Sequence, residues 1–356
     1  MAEIAITAAT SVKARLKQAL QARPGLWRRY WRLKQEIKRV AMLRYFFYDI
    51  GHTYRAMFWP INQQARQALS AELLFQYHKL EKGLVMPGPQ RLFGVEAATA
   101  VMEVVDRWRA AGLDSRDTVF VGALETLHAY RDRLSTTQLD SNGIILQHVE
   151  RFLERIGAID RESSLSTPQP LPNESISGVS GDEAFRQLAN ARRSVRDFLP
   201  TPVDRATIVE AVRIAQLSPS ACNRQPCSIY LVSDEVKKKR LLALQNGNRG
   251  FGHLAPHIAI VTADERCFFD ASERHEPYVD GGLFAMSFIL SLRAQGVGSC
   301  CLNWCVAPKT DQIAHELLGV DPSRRIVMLI AFGYAPDNCS VPRSPRRDLN
   351  DVLIEL

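Results

Sequence analysis

The sequence predicts an α+β domain preceded by a helical extension. Three observations carry that prediction. Over residues 1–160, apolar side chains recur at spacings of three and four, the period of a helix. Residues 161–182, RESSLSTPQPLPNESISGVSGD, are dominated by Ser, Pro, Gly and Asn, the composition of a linker. From residue 183 onward, short apolar runs alternate with helical stretches, as in a sheet flanked by helices. The expected organisation is a helical region at 1–160, a linker at 161–182 and an α+β domain at 183–356.

Composition narrows the class. The chain has 356 residues, 46% of them hydrophobic, enough for a sizeable core. Its net charge of +7 is modest and is concentrated near the N-terminus. Seven cysteines at irregular spacing fit a reduced, cytoplasmic protein better than a disulfide scaffold. No secretory signal pattern opens the sequence, and no run approaches the roughly 18 apolar residues of a bilayer span.

The first stretch sets Lys13, Arg15, Lys17, Arg23, Arg28, Arg29, Arg32, Lys34, Lys38, Arg39 and Arg44 among Trp27, Tyr30, Trp31, Leu33, Ile37, Val40, Leu43, Phe46 and Phe47. Two readings fit. One is a solvated helix packing its aromatic face on the rest of the protein. The other is peripheral contact with an anionic membrane through residues 11–47. A nucleic-acid partner is not expected, since no nucleic-acid-binding motif accompanies the charge. The next helix carries Leu73, Leu74, Tyr77 and Leu80 and is expected to stop at Gly83. On it His78, Glu81 and Lys82 share a face, either as an ion-paired helix end or as a polar cluster facing a ligand. Helices follow at 94–111, 117–134 and 142–157.

Beyond the linker, helices are expected at 183–191, at 204–217 with Asp204 as N-cap, and at 234–245. Strands are expected at 228–233 and 256–262. A long apolar helix over 279–295 is expected to begin at Asp280 and end at Gly296. Residues 298–304 leave it as strand or loop. A helix at 310–318 stops at Gly319, and the unbroken apolar run 325–332 reads as a central strand.

Three patches in this half carry chemistry. Arg192, Arg193 and Arg196 straddle Ser194, and guanidiniums beside a hydroxyl suit a phosphate monoester through charge-assisted hydrogen bonds. The tail arginines Arg343 and Arg346 could close over the same group. The plain alternative pairs these arginines with Asp197 and Asp348. The loop Ser218-Pro219-Ser220-Ala221-Cys222-Asn223-Arg224-Gln225-Pro226 presents hydroxyls and amides between two stiffening prolines, which suits a planar, heteroatom-rich ligand. Its plain alternative is turn capping. Gly296-Val297-Gly298-Ser299 lets backbone approach a flat ring, or simply makes a tight turn after a helix.

Together these patches, in this order and followed by Ile330-Ala331-Phe332-Gly333-Tyr334, resemble the flavin-dependent nitroreductase family over residues 184–356. The resemblance implies an FMN-binding sheet. The phosphate would lie on Arg192, Arg193, Ser194, Arg196 and the tail arginines Arg343 and Arg346. The ribityl chain or ring would meet Pro219, Ser220, Ala221, Asn223 and Gln225, and Gly296, Val297, Gly298 and Ser299. It also implies a homodimer with the site at the interface, NADH or NADPH as electron donor, and a ping-pong reduction of a small-molecule acceptor such as a nitro compound or quinone. No side chain is assigned as catalytic acid or base, because the flavin carries that chemistry. Cys227 stands where the family often has a bulky aromatic. Two other readings are kept open: a specialised biosynthetic flavin dehydrogenase or reductase, suggested by the long extension, and a non-catalytic, membrane-associated flavin-binding scaffold. No metal site is expected, since no C-x-x-C pair occurs and Pro256 interrupts any helix between His253 and His257.

Overall fold

The computed structural model describes residues 21–57, 65–85, 92–137, 140–157, 181–341 and 349–356. The expected linker lies outside the described residues except for 181–182, which open a helix. The chain divides into two compact units, Met1–His52 and Thr53–Leu356.

In the first unit the described residues from Pro24 onward belong to α1 (Pro24–Ala56), a helix of 33 residues that runs on into the second unit. Its side chains are largely exposed, Leu33, Ile37, Val40, Phe46 and Phe47 among them. The period-of-three spacing does form a helix there, but within its own unit the aromatic face is not buried.

The second unit begins with four helices, α2 (Arg66–Val85), α3 (Val95–Ala110), α4 (Thr118–Thr137) and α5 (Ile144–Ile156). Residues at helical spacing, among them Leu73, Leu80, Val101, Trp108, Phe120, Leu127 and Tyr130, form one shared core. Buried Trp108 donates from Nε1 to the Asp114 carbonyl (3.1 Å), so its one polar group is satisfied. The expected stop at Gly83 is corrected: α2 runs through it to Val85. Gly83 is a contact point, since a Cβ there would lie 2.2 Å from the Phe93 ring.

The α+β half comprises α6 (Gly181–Ala191), α7 (Arg205–Gln216), β1 (Cys227–Val232), α8 (Glu235–Leu244), β2 (His257–Asp264), α9 (Glu276–Ala294), β3 (Gly298–Asn303), α10 (Pro308–Leu318) and β4 (Arg324–Gly333). The four strands form one sheet in the order β1-β2-β4-β3, every neighbour antiparallel. Both faces are covered. Ile258, Ile260, Leu329 and Ala331 pack with Leu241 of α8 and Ala314 of α10. Ala259, Val261, Ile330 and Phe332 pack with Ala211 of α7 and Phe288 of α9. That double burial makes the central strands unbroken apolar runs in an antiparallel sheet. Local rules set the helix ends. Asp204 accepts from Ala206 N (3.1 Å), Asp234 accepts from Lys237 N (2.8 Å), and Gly319 takes φ +65° after α10. One start is corrected: α9 begins at Glu276, with Pro277 in its first turn, so Asp280 lies inside the helix and does not cap it.

Candidate functional site

The loop 218–226 is the most constrained backbone among the described residues. Cys222, Asn223 and Gln225 all take positive φ (51°, 55° and 50°), the only described non-glycine residues that do. Asn tolerates that region; Cys and Gln occupy it only when their surroundings enforce it. The surroundings are charged groups below the loop. Arg224 is 2% exposed. Its guanidinium donates to the carbonyls of Ala221 and Cys267 (both 2.9 Å) and to both carboxylate oxygens of Glu273 (3.0 and 2.5 Å). It also lies over the rings of Phe268 and Phe269. The Asp280 carboxylate, buried in α9, accepts from Ala221 N (3.2 Å). Burial pushes that carboxyl up to about 6, with the Ala221 hydrogen bond pulling the other way. Ser220 Oγ accepts from Gln225 N (3.0 Å), and Ser218 Oγ bonds Ser287 Oγ (2.7 Å).

This scaffold leaves Gln225 exposed and Asn223 half-buried at the surface, with the Gln225 Nε2 donating to the Asn223 carbonyl (3.4 Å). A small cleft opens beside them, lined by Ser218, Pro219, Ser220, Gln225, Cys227, Asp280 and Phe284. The Cys227 thiol is pushed up to about 12, by burial first and by Asp280 second, so it stays protonated. Behind the loop stands the helical extension. Met57 and Ala71 share a small core with Cys267 and Phe268, with Ala221 packed against it. Phe75 of α2 meets Phe269 edge to face at 4.4 Å.

The other two patches meet each other. Ser194 forms a parallel bridge to Ser299, and Val195 N donates to the Ser299 carbonyl (3.0 Å). Gly298 is required there: a Cβ would stand 2.9 Å from Val195 Cγ2. Gly296 takes φ +78° to leave α9, and Val297 is fully buried in the core. Arg196 is exposed, its guanidinium over the Phe251 ring at 5.7 Å. Among the described residues no carboxylate pairs with Arg192, Arg193 or Arg196, and Asp197 forms no ion pair. Three guanidiniums and a hydroxyl without an internal counter-charge are the donor set a phosphate monoester needs, and they fit the phosphate of FMN. Arg343 and Arg346 lie outside the described residues, as does Asp348.

The loop and the Ser194–Ser299 corner do not meet within one chain. Cys227 opens β1 opposite Ala263, whereas Gly298 opens β3 opposite Gly333, whose neighbour Phe332 pairs with His257 at the start of β2. The two patches therefore sit at opposite ends of the sheet, one strand length apart (about 20 Å) and on opposite edge strands.

The sequence model of the nitroreductase family matches residues 189–247 and 235–334, which hold both patches. A protein of Streptomyces coelicolor named for NADH dehydrogenase/NAD(P)H nitroreductase activity is 30% identical over 137 residues, covering 33% of this chain and 68% of that protein. The chain belongs to the nitroreductase family. The 4-nitrobenzoate reductase of Pseudomonas putida is 26% identical over 208 residues, 46% of this chain and 91% of that enzyme. In structure, a nitroreductase of Clostridium difficile described as FMN-dependent is 20% identical, with a TM-score of 0.42 over 48% of this chain and 99% of its own. In this nitroreductase-family chain the family model leaves residues 1–188 uncovered.

The sequence reading missed four residues that build the site: Arg224, Glu273, Asp280 and His257. His257 accepts from Val203 N through Nε2 (3.0 Å) and bonds Ser233 Oγ through Nδ1 (2.8 Å), which ties the Arg196 segment to the sheet. Burial holds its pKa below the ordinary value, so it is a neutral structural imidazole. Among the described residues no cluster of three His, Cys, Asp or Glu could hold a metal.

Proposed function

We propose that this chain is an FMN-dependent oxidoreductase that works as a homodimer, its chemistry carried by residues 183–356. The observation that carries this reading is the split between its two half-sites. A strained amide loop at one end of the sheet and an uncompensated arginine–serine corner at the other form one ligand site only if a second copy brings its loop to the first copy's corner. In that arrangement Arg192, Arg193, Ser194 and Arg196 hold the phosphate. The backbone of Gly296–Ser299 lines the flat ring closely. Ser220, Asn223 and Gln225 from the second copy donate to or accept from its polar edge. When bound, FMN supplies a ring that takes hydride from NADH or NADPH and passes reducing equivalents, in ping-pong fashion, to an electron-poor small molecule such as a nitro compound or quinone. The chain's own contribution is to bind and orient: Arg224 and Asp280 fix the loop, and no side chain is assigned as acid or base. All seven cysteines are free, which supports a reducing, cytoplasmic setting.

A second reading keeps the flavin and narrows the acceptor. The extension packs directly behind the loop, through Phe75 and the Met57 core. That supports a specialised biosynthetic reductase over a generalist.

The purified protein should be yellow, release FMN on denaturation, and bleach anaerobically with NADH or NADPH. A protein that stays colourless after incubation with FMN overturns the proposal. Flavin that binds but cannot be reduced by any donor points to a scaffold instead. Bleaching without turnover of nitroaromatics or quinones favours the specialised reading.

A further inference from the structure

We propose that the groove between α8 and the segment that follows it holds the adenosine 2′-phosphate of NADPH, which makes NADPH the preferred electron donor. The groove has a volume of about 840 Å³. That lies within the roughly 300–1,000 Å³ of sites that take small molecules. At about 100° per residue, Val236, Lys239, Arg240 and Ala243 share one side of α8 and form one wall. Asn246, Arg249 and His253 belong to the other. This second wall is braced from beneath. Gln245, 4% exposed, donates from Nε2 to the Asn303 carbonyl (2.9 Å) and accepts from Gly247 N (2.7 Å). Asn248 donates from Nδ2 to the carbonyls of Leu242 and Gln245 (both 2.8 Å).

The amides that shape the groove are spent, but its cations are not. Lys239, Arg240 and Arg249 are exposed, and among the described residues no carboxylate pairs with them. Glu235, the one acidic residue among the described lining residues, is held by the buried Lys238 ammonium (2.6 Å). One ammonium and two guanidiniums without an internal partner suit a phosphate monoester, which carries close to two charges near pH 7 and accepts bidentate bonds from arginine. NADPH bears such a monoester on its adenosine, where NADH has a hydroxyl. The groove also adjoins the arginine corner. Gly250 lines it, and the next residue, Phe251, lies under the Arg196 guanidinium at 5.7 Å. Groove and corner are neighbours, as the two ends of one extended donor require. The identity of the donor rests on the flavin reading; the affinity of the groove for the monoester does not.

The test is calorimetric titration of the full chain, with and without FMN, with adenosine 2′,5′-bisphosphate and with adenosine 5′-monophosphate. The bisphosphate should bind about tenfold tighter or more, as expected for charge-assisted bonds to the added monoester. Arg240→Gln/Arg249→Gln should abolish that preference. In the FMN-loaded protein the same pair should lower the ratio of kcat/KM for NADPH over NADH about tenfold or more. Lys237→Gln removes a charge from the same helix at an exposed position that does not line the groove, and should leave the nucleotide preference in place. All three side chains are exposed, and unchanged thermal unfolding checks folding. The proposal is overturned if both nucleotides bind equally, if the double variant keeps the preference, or if Lys237→Gln lowers it as much. Turnover without preference for NADPH over NADH, or capture of a single-stranded oligonucleotide in place of the bisphosphate, also overturns it. A protein that prefers the bisphosphate but takes up no FMN supports the groove and refutes the flavin reading, so the two failures are told apart.

Discussion

At the β1 end of the sheet, charge is buried to hold backbone; at the β3 end, backbone is packed to display charge. Beneath the loop 218–226, the Arg224 guanidinium and the Asp280 carboxylate are withdrawn from water and, with the half-buried Glu273, spend their hydrogen bonds on carbonyls, amides and each other. At the opposite corner, Val195 presses on Gly298, His257 pins Val203, and the arginines are left without a carboxylate among the described residues. The first end is finished before any ligand arrives. A strained loop needs a rigid foundation, whereas the phosphate site proposed above needs unspent donors, and one fold meets both needs by separating them.

The largest effect should come from the foundation. Arg224→Met leaves the Glu273 carboxylate and the Cys267 carbonyl without their partner, and should cost about 3–5 kcal/mol in urea unfolding. A loss under about 1 kcal/mol would mean that buried charge does not hold the loop. Next, Gly298→Ala forces a methyl against Val195 and should cost about 1–3 kcal/mol. Adding Val195→Ala should recover part of that loss, and no recovery would place the clash elsewhere. Third, Arg196→Ala should weaken FMN binding about tenfold or more, as measured by fluorescence titration, because a charge-assisted bond contributes about 1.5–3 kcal/mol. The stability of the flavin-free protein should barely change. If stability falls as much as binding, the corner is structural like the loop and the contrast fails.

The smallest effect is a pH dependence. Asp280 titrates at about 6 when folded against an ordinary 3.8, so the folded state keeps a proton that the unfolded state gives up. The stability it contributes is full below pH 3.8 and is lost as pH rises through about 6. Asp280→Asn should therefore gain on the wild type across that window, measured by thermal unfolding at several pH values. A constant difference would remove Asp280 from the loop's electrostatics.

What the sequence made legible was local. Asp204 and Gly319 mark helix ends by rules that act within one turn, and the unbroken apolar run at 325–332 announced a strand buried on both faces. What stayed hidden depended on distant partners. An arginine in a polar loop reads as solvated; Arg224 is buried because Glu273 lies 49 residues further on. Gly83 resembles a helix stop, yet it answers to the Phe93 ring. Asp280 resembles a cap, yet it serves a loop from inside α9. Cys222 and Gln225 gave no sign of positive φ, since neither residue prefers it and only the packing below imposes it. The opposition of the two patches required the strand order, which no motif encodes.

The small core of Met57, Ala71, Cys267 and Phe268 joins the extension to the loop. A shortened chain starting at Gly181 would keep every motif shared with its relatives, but Phe268 and Cys267 would lose their cover and face solvent. The bundle is thereby part of the floor on which the loop 218–226 stands, and removing it strips cover from both.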